Sequence, residues 1–173
     1  MNWLNFIEYH WIEALVVGAI GLLAVVIGRL VTGKSLGKLK VSQYFFGFLL
    51  IAFLYLLSIA TGILDPIGFS LDLFRPRAYN LIPFSQWLPK QFALNAILFV
   101  PLGFLLPLVF RFPKRRVALK VFLISFGVSL FIELTQLFMM TRSFDVNDLL
   151  ANTLGGIAGY GIYRLIFSGR KRS

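Results

Sequence analysis

Apolar runs of about twenty residues recur along this chain of 173 residues, and they constrain its fold more than any other feature. A helix of about twenty predominantly apolar residues is long enough to cross the hydrocarbon core of a bilayer. Charged residues make up only 14% of the sequence and apolar residues 58%, which excludes an ordinary soluble domain. We therefore predict one all-α membrane domain over residues 1–173. The predicted spans are about 11–31, 44–64, 91–110, 117–138 and 146–167.

The distribution of basic residues predicts the orientation of these spans. Thirteen of the seventeen Lys and Arg residues fall on one side of the predicted bundle, and four fall on the other. Basic residues collect on the cytoplasmic side of membrane proteins. The charge pattern therefore predicts an N-terminus outside and a C-terminus inside. The basic clusters are short and lie in separate loops, which argues against nucleic acid as a partner despite the net charge of +10.

A long irregular segment, about residues 65–90, lies on the outer side between the second and third spans. It is rich in proline and too polar to cross a membrane. Its RPRAYNLIPFSQW stretch combines Arg75 and Arg77 with aromatic side chains of a kind that settles at membrane interfaces. The segment is either an interfacial linker or a lid over a site.

The stretch from Glu133 to Asn152 is the hardest part of the chain to explain as lipid-facing structure. Glu133 lies about five residues inside the fourth apolar run, where an ionisable group costs about 2.5–3.5 kcal/mol and marks a functional site by default. Ser125, Ser129, Glu133 and Gln136 follow one another in steps of four, four and three, so they share one helix face.

The fifth span begins with a polar face and continues as a stripe of glycines. Asp145, Asp148 and Asn152 follow at steps of three and four, and the same face carries the glycines Gly155, Gly156 and Gly159. The spacing Gly155-x-x-x-Gly159 permits close helix contact. The short connection makes the fourth and fifth spans neighbours, so we expect the serine stripe to pack against the glycine stripe.

The third span contributes Asn95 at nearly the depth of Glu133. It also contains Pro101 and Pro107, each of which frees the carbonyl four residues back. This span is either a kinked packing helix or a helix broken beside a polar cavity. We expect six polar residues to converge on one outward pocket, with Asp145 at its rim: Asn95, Glu133, Gln136, Arg142, Asp148 and Asn152.

The order of several short elements over residues 70–165 resembles the VanZ-like family. These elements are RAYNLIPF, NAILFVPLGFLLP, IELTQ, and then an R-x-x-D-x-x-D-x-x-x-N-x-x-G-G pattern that runs from Arg142 to Gly156. The resemblance implies a multi-pass protein of the bacterial cytoplasmic membrane. It also implies an association with resistance to lipoglycopeptide antibiotics, teicoplanin more than vancomycin. It implies no particular reaction.

Three functions and one structural account stay open at this point. In the structural account Asp145 caps the fifth helix by accepting from the N–H of Asp148, and Arg142 pairs with either carboxylate. A glutamine would serve as well as Glu133 in that account, at a lower desolvation cost.

The first functional hypothesis is a binding protein for a membrane lipid, a lipid-linked cell-wall precursor or the antibiotic itself. Arg75, Arg77 and Arg142 would bind phosphate or carboxylate, and the other ligand-binding candidates are Asn95, Gln136, Asp145 and Asn152. The second is an enzyme with Glu133 and Asp148 as catalytic candidates, because the chain has no Cys and a single His10. No cofactor is expected, although these oxygen ligands also suit Mg²⁺ or Ca²⁺. A transporter is the third, and no inverted repeat supports it.

Overall fold

The computed structural model describes residues 3–32, 39–64, 79–85, 88–139 and 142–168, with side chains described for residues 10–167 of these ranges. Five α-helices lie within them: α1 Trp3–Val31, α2 Val41–Ala60, α3 Pro89–Val109, α4 Val117–Gln136 and α5 Val146–Ser168. A 3₁₀ turn, Lys114–Arg116, precedes α4. Two short strands, β1 Tyr79–Asn80 and β2 Phe144–Asp145, pair in parallel.

The helices confirm the all-α prediction. Four stretches within the described residues are long and apolar enough to cross a membrane: His10–Val31, Val41–Ala60, Pro89–Val109 and Lys114–Gln136. Helix α5 is as long as these stretches but is not among the four candidate spans. Its first half contains several buried polar side chains, among them Asn152 and Thr153. The fifth crossing and the N-outside orientation therefore stay predictions.

Helix α3 lies at the centre of the apolar core. Its Phe99 and Leu102 are almost fully buried, and they belong to one cluster with Leu57 of α2 and with Val121 and Ile132 of α4. The helix runs without interruption from Pro89 to Val109, so neither Pro101 nor Pro107 ends it. Membrane helices tolerate prolines in this way when their surroundings satisfy the backbone groups that the prolines free.

Glycines bring α3 and α5 into backbone contact. A Cβ atom added at Gly155 would overlap the backbone carbonyl of Ala96, and one added at Gly159 would overlap that of Val100. Gly103 of α3 in turn faces the backbone of Gly156. The prediction that Gly155 and Gly159 pack on the serine stripe of α4 was wrong. Helix α3 carries a small residue of its own, so two backbones approach more closely there than against α4.

Gly156 alone follows the predicted packing, because its backbone lies against the side chain of Ser125.

At the opposite end of the bundle from the polar stretch, Gln43 joins α2 to the end of α3. Its Nε2 donates to the carbonyl of Val109 at 2.9 Å, and its Oε1 accepts from Nε of Arg111 at 3.2 Å. Gln43 thus links α2 to the end of α3 and to Arg111 at the basic end of the bundle.

Candidate functional site

A cavity of about 310 Å³ lies where α2 and α4 end and α3 and α5 begin. It brings together all six residues that were expected to converge: Asn95, Glu133, Gln136, Arg142, Asp148 and Asn152. The remaining lining residues are Ala60, Thr61, Gln91, Leu98 and Ile132. The antiparallel order of the helices explains this meeting, since the five helical residues lie within about two turns of the same end of the bundle and Arg142 lies in the connection between α4 and α5.

Glu133 is the most deeply buried ionisable group of the cavity, with 1% of its surface exposed. Its Oε2 accepts the backbone N–H of Asp145 at 2.9 Å, across the connection between α4 and α5. One turn later, Nε2 of Gln136 donates to the carbonyl of Thr61 at 3.0 Å. The polar face of α4 therefore holds both α2 and the start of α5.

Asp145 caps α5, but not through the predicted donor. Its Oδ1 accepts the backbone N–H of Asn147 at 2.8 Å and Nδ2 of Asn80 at 3.1 Å. The expectation that Asp148 supplies the capping N–H was therefore wrong, because the bond falls one residue earlier. The Asp148 carboxylate lines the cavity, where it accepts from Nε2 of Gln91 at 3.3 Å and also interacts with the Asn95 amide.

Asn152 lies deepest on the α5 side, and its amide is only half satisfied. Its Nδ2 donates to Oγ of Ser129 at 2.9 Å, which uses the serine stripe of α4 as expected. Its Oδ1 is buried and has no hydrogen-bond partner. Such an orphan acceptor is uncommon in folded proteins, where most buried polar groups are paired.

Arg142 lies at the mouth of the cavity with its side chain exposed. Its guanidinium lies beside Gly62, whose φ of +80° suits a residue without a side chain. Among the described residues it forms no ion pair within 4.0 Å, so the expected pairing with Asp145 or Asp148 is absent there. Arg75 and Arg77 lie outside the described residues.

Comparison with known proteins places this geometry in a family. A family described as VanZ/LLP1 matches residues 46–167, which is more than half of the chain. The chain belongs to the VanZ/LLP1 family. This confirms the resemblance seen in the sequence motifs, and the match includes every residue that lines the cavity.

One curated VanZ relative is the protein named VanZ from Enterococcus faecium. It is 31% identical to this chain over 93 residues, which is 53% of this chain and 56% of the relative. The chain thus matches only about half the length of that VanZ protein. No solved structure matches.

Residues 79–85 form a described loop between α2 and α3, which we call the outer loop after the side on which it is predicted to lie. Asn80 organises it, because its Oδ1 accepts from Oγ of Ser85 at 2.8 Å while its amide reaches Asp145. The backbone N–H of Phe84 donates to Oδ1 of Asn147 at 2.8 Å, and Phe84 has a φ of 61°. Four large side chains of the loop are more than half exposed: Tyr79, Leu81, Ile82 and Phe84.

Sequence reasoning missed several residues of this arrangement. Gln91 precedes Asn95 by four positions, and this spacing could have placed it on the same helix face. Asn80 stood inside the RAYNLIPF element without an assigned role. Asn147 and the carbonyl of Thr61 had no signal, since their partners are distant in the sequence.

The described residues offer few ligands for a metal ion. Within the residues that the structure describes, no three His, Cys, Asp or Glu side chains come together where they could hold an ion. Glu133 and Asp148 supply two carboxylates to the cavity, and Asn95 and Asn152 supply amide oxygens.

A second polar cluster joins α1 to α2 and lies mostly outside the VanZ/LLP1 match. Oε2 of Glu13 contacts Nδ1 of His10 at 2.8 Å and accepts from the hydroxyl of Tyr55 at 2.9 Å. These residues line a cavity of about 260 Å³ together with Ile59 and Leu64. All of its members are partly or fully exposed, so the cluster is far less desolvated than Glu133.

Proposed function

We propose that this VanZ/LLP1 protein binds the headgroup of a membrane lipid or a lipid-linked cell-wall precursor in an outward-facing polar cavity. It would act as a multi-pass protein of the bacterial cytoplasmic membrane. By occupying that ligand it would reduce susceptibility to lipoglycopeptide antibiotics such as teicoplanin, the phenotype implied by the family resemblance.

The observation that carries this proposal is the buried polar lining of the cavity at one end of an apolar helix bundle. Glu133 and Asn152 are both more than nine-tenths buried, yet Asn152 keeps an acceptor without a partner. Burying such groups costs free energy, and a purely structural role would be served by better-satisfied or apolar side chains. A ligand that supplies the missing hydrogen bonds explains why these residues lie there.

The exposed side chains of the outer loop support a lipid-linked ligand. Tyr79, Ile82 and Phe84 are exposed on a loop that hydrogen-bonds to the start of α5, next to the cavity, through a side-chain amide and a backbone N–H. Aromatic and aliphatic groups in this position suit the boundary between headgroups and acyl chains. A ligand with a polar head and an apolar tail could then contact the cavity and the loop together.

The proposal is tested by susceptibility measurements in a teicoplanin-sensitive host that expresses the protein. Wild type should raise the inhibitory concentration, and Asn152→Leu, which keeps the branched shape but removes the amide with its free acceptor, should abolish the increase. Ser125→Ala is the matched control, because Oγ of Ser125 is also buried without a partner but lies outside the cavity lining. Equal protection by wild type and Asn152→Leu, at equal membrane abundance, would contradict the proposal.

An enzymatic function is the second candidate, since two carboxylates, Glu133 and Asp148, line the same cavity. Paired carboxylates can divide general acid and general base roles. Glu133→Gln keeps the shape but cannot transfer a proton. A precursor or lipid species that mass spectrometry detects with wild type and not with Glu133→Gln would favour the enzyme over the binding protein.

The outward orientation has its own test. Single cysteines at Ser35 and Ser173 should be protected from an impermeant thiol reagent in intact cells, because both belong to basic stretches of the sequence. A cysteine at Ser143, next to Arg142 at the mouth of the cavity, should be labelled. The reverse pattern would place the cavity on the cytoplasmic side.

A further inference from the structure

The donors and acceptors of the cavity lining differ in how far they are already paired, and this difference restricts which ligands can bind. Three amide nitrogens of the lining each already donate a hydrogen bond within the protein. Nε2 of Gln136 donates to the carbonyl of Thr61, and Nε2 of Gln91 donates to the Asp148 carboxylate. Both of these partners can only accept, so the two amides have fixed orientations. Nδ2 of Asn152 donates to Ser129.

Acceptors, in contrast, are left over at the same depth. Oδ1 of Asn152 has no partner, and Glu133 receives one hydrogen bond, at Oε2, from the described residues. An ionised carboxylate offers about four acceptor positions. The deep wall therefore presents an acceptor oxygen without any partner and a carboxylate with free acceptor positions, whereas each of these three amide nitrogens already donates one hydrogen bond.

The charges point the same way. Two carboxylates, Glu133 and Asp148, line the cavity, while the single described cation, Arg142, lies exposed at its mouth. A buried anion is tolerated best when a positive group and further hydrogen bonds reach it. The missing charge is positive and belongs deep in the cavity, and an anionic group fits only near the mouth.

We infer that the cavity recognises a primary ammonium group that is carried next to an anionic group. The ammonium would donate to Oδ1 of Asn152 and to the carboxylates of Glu133 and Asp148, and the anion would lie near Arg142. A hydroxyl ligand supplies donors without charge, and a quaternary ammonium supplies charge without donors. This inference deepens the proposed headgroup-binding function and rests on it.

Purified full-length protein in nanodiscs of dioleoyl phosphatidylcholine provides the test, with dioleoyl phosphatidylethanolamine or phosphatidylglycerol added in separate preparations. Native mass spectrometry reports the lipid retained by the protein. The ethanolamine lipid should be retained over both others by about tenfold or more, as expected for charge-assisted hydrogen bonds in a desolvated site. Soluble phosphoethanolamine, compared with phosphocholine, tests the same chemistry without acyl chains.

Three variants test whether retention of the ethanolamine lipid rises or falls as the inference requires. Asn152→Leu should lose about tenfold in retention of the ethanolamine lipid, because it removes the free acceptor. Asn152→Asp adds a negative charge at the same position, so it should keep or increase retention of an ammonium ligand and would repel an anionic one. Ser125→Ala, outside the cavity lining, should match wild type.

The outcomes separate this inference from the function on which it rests. Preference for phosphatidylglycerol or phosphatidylcholine, or weakening by Asn152→Asp as severe as by Asn152→Leu, overturns the ammonium inference and leaves headgroup binding in place. Lipid retention that no cavity variant changes overturns both. Phosphoethanolamine binding without retention of the lipid supports the ammonium group and assigns it to a soluble amine instead of a membrane lipid.

Discussion

Helix pairs α3–α5 and α1–α2 both place glycines at their interface, but these glycines meet different neighbours. Gly155 and Gly159 of α5 face backbone carbonyls of α3, whereas Gly21 of α1 faces the side chain of Ile51 and Gly18 faces the ring of Phe48. A side chain can change its rotamer and a helix backbone cannot. The α3–α5 spacing is therefore fixed, and the polar cavity lies at the end of this fixed pair.

The largest expected effect comes from adding a methyl group to the fixed pair. Gly155→Ala would overlap the carbonyl of Ala96, and overpacking of this kind typically costs about 1–3 kcal/mol of unfolding free energy. Gly161→Ala is the control on the same helix, because nothing lies within 4 Å of its added Cβ. Since alanine favours helices over glycine by about 1 kcal/mol, that control should be neutral or stabilising.

Thermal unfolding in detergent, followed by circular dichroism, measures these differences. Gly21→Ala on α1 should fall between the two variants, because the Ile51 side chain can move aside. Equal loss of stability in Gly21→Ala and Gly155→Ala would remove the distinction between the two helix pairs.

The second effect contrasts the two glutamates. Glu133→Gln keeps an acceptor for the N–H of Asp145 and removes the cost of burying a carboxylate, so the unfolding temperature should stay the same or rise. Protection against teicoplanin should be lost. Stability gained as function is lost is typical of a functional site.

Glu13→Gln is the matched change in the exposed cluster of α1 and α2. It should leave both the phenotype and the lipid retention unchanged, because Glu13 is about half exposed and lies outside the family match. A marked fall in unfolding temperature for Glu133→Gln, with the phenotype retained, would make Glu133 a structural residue.

The helices and the convergence of the six polar residues followed from local spacing. Apolar length predicted the helices, four of which are long and apolar enough to cross a membrane, and steps of three and four put Glu133, Gln136 and Asn152 on inward faces. What local spacing does not contain is the choice of partner helix. Gly155 and Gly159 lie against the backbone carbonyls of Ala96 and Val100 on α3, and that match depends on two segments far apart in the sequence.

The details of the hydrogen bonds were beyond the sequence for a related reason. Asp145 was correctly placed at the start of α5, but its donor proved to be Asn147, since a cap can bond to either of two adjacent N–H groups. Asn80 reaches Asp145 across 65 positions, and no periodicity signals such a contact.

A smaller effect is expected at the outer loop, which is attached to α5 and so to the fixed pair. Asn80→Ala removes a partly buried bond to Asp145, worth about 1 kcal/mol, and an exposed bond to Ser85 that contributes less. Hydrogen exchange of residues 79–85 should accelerate, while exchange in α3 should not change. Ser85→Ala, which removes one of these bonds, should give an intermediate rate. An unchanged exchange rate in Asn80→Ala would show that other contacts hold the loop.

The smallest effect is expected for Tyr55→Phe. This change removes the hydrogen bond from α2 to Glu13 but keeps the ring, and exposed interactions of this type contribute little. The unfolding temperature should match wild type within measurement error. A clear decrease would show that α1 depends on this cluster and not on its contact with Phe48 and Ile51.

Asp145 connects the outer loop directly to the buried carboxylate of Glu133. Its backbone N–H binds Glu133, its side chain binds Asn80, and the adjacent strands pair residue by residue. If the loop lifts from the start of α5 and takes Asp145 with it, the hydrogen bond of Glu133 lengthens in the same movement. If the apolar tail of a bound ligand displaced Tyr79 or Ile82, the hydrogen bond that stabilises the Glu133 carboxylate inside the cavity would therefore weaken.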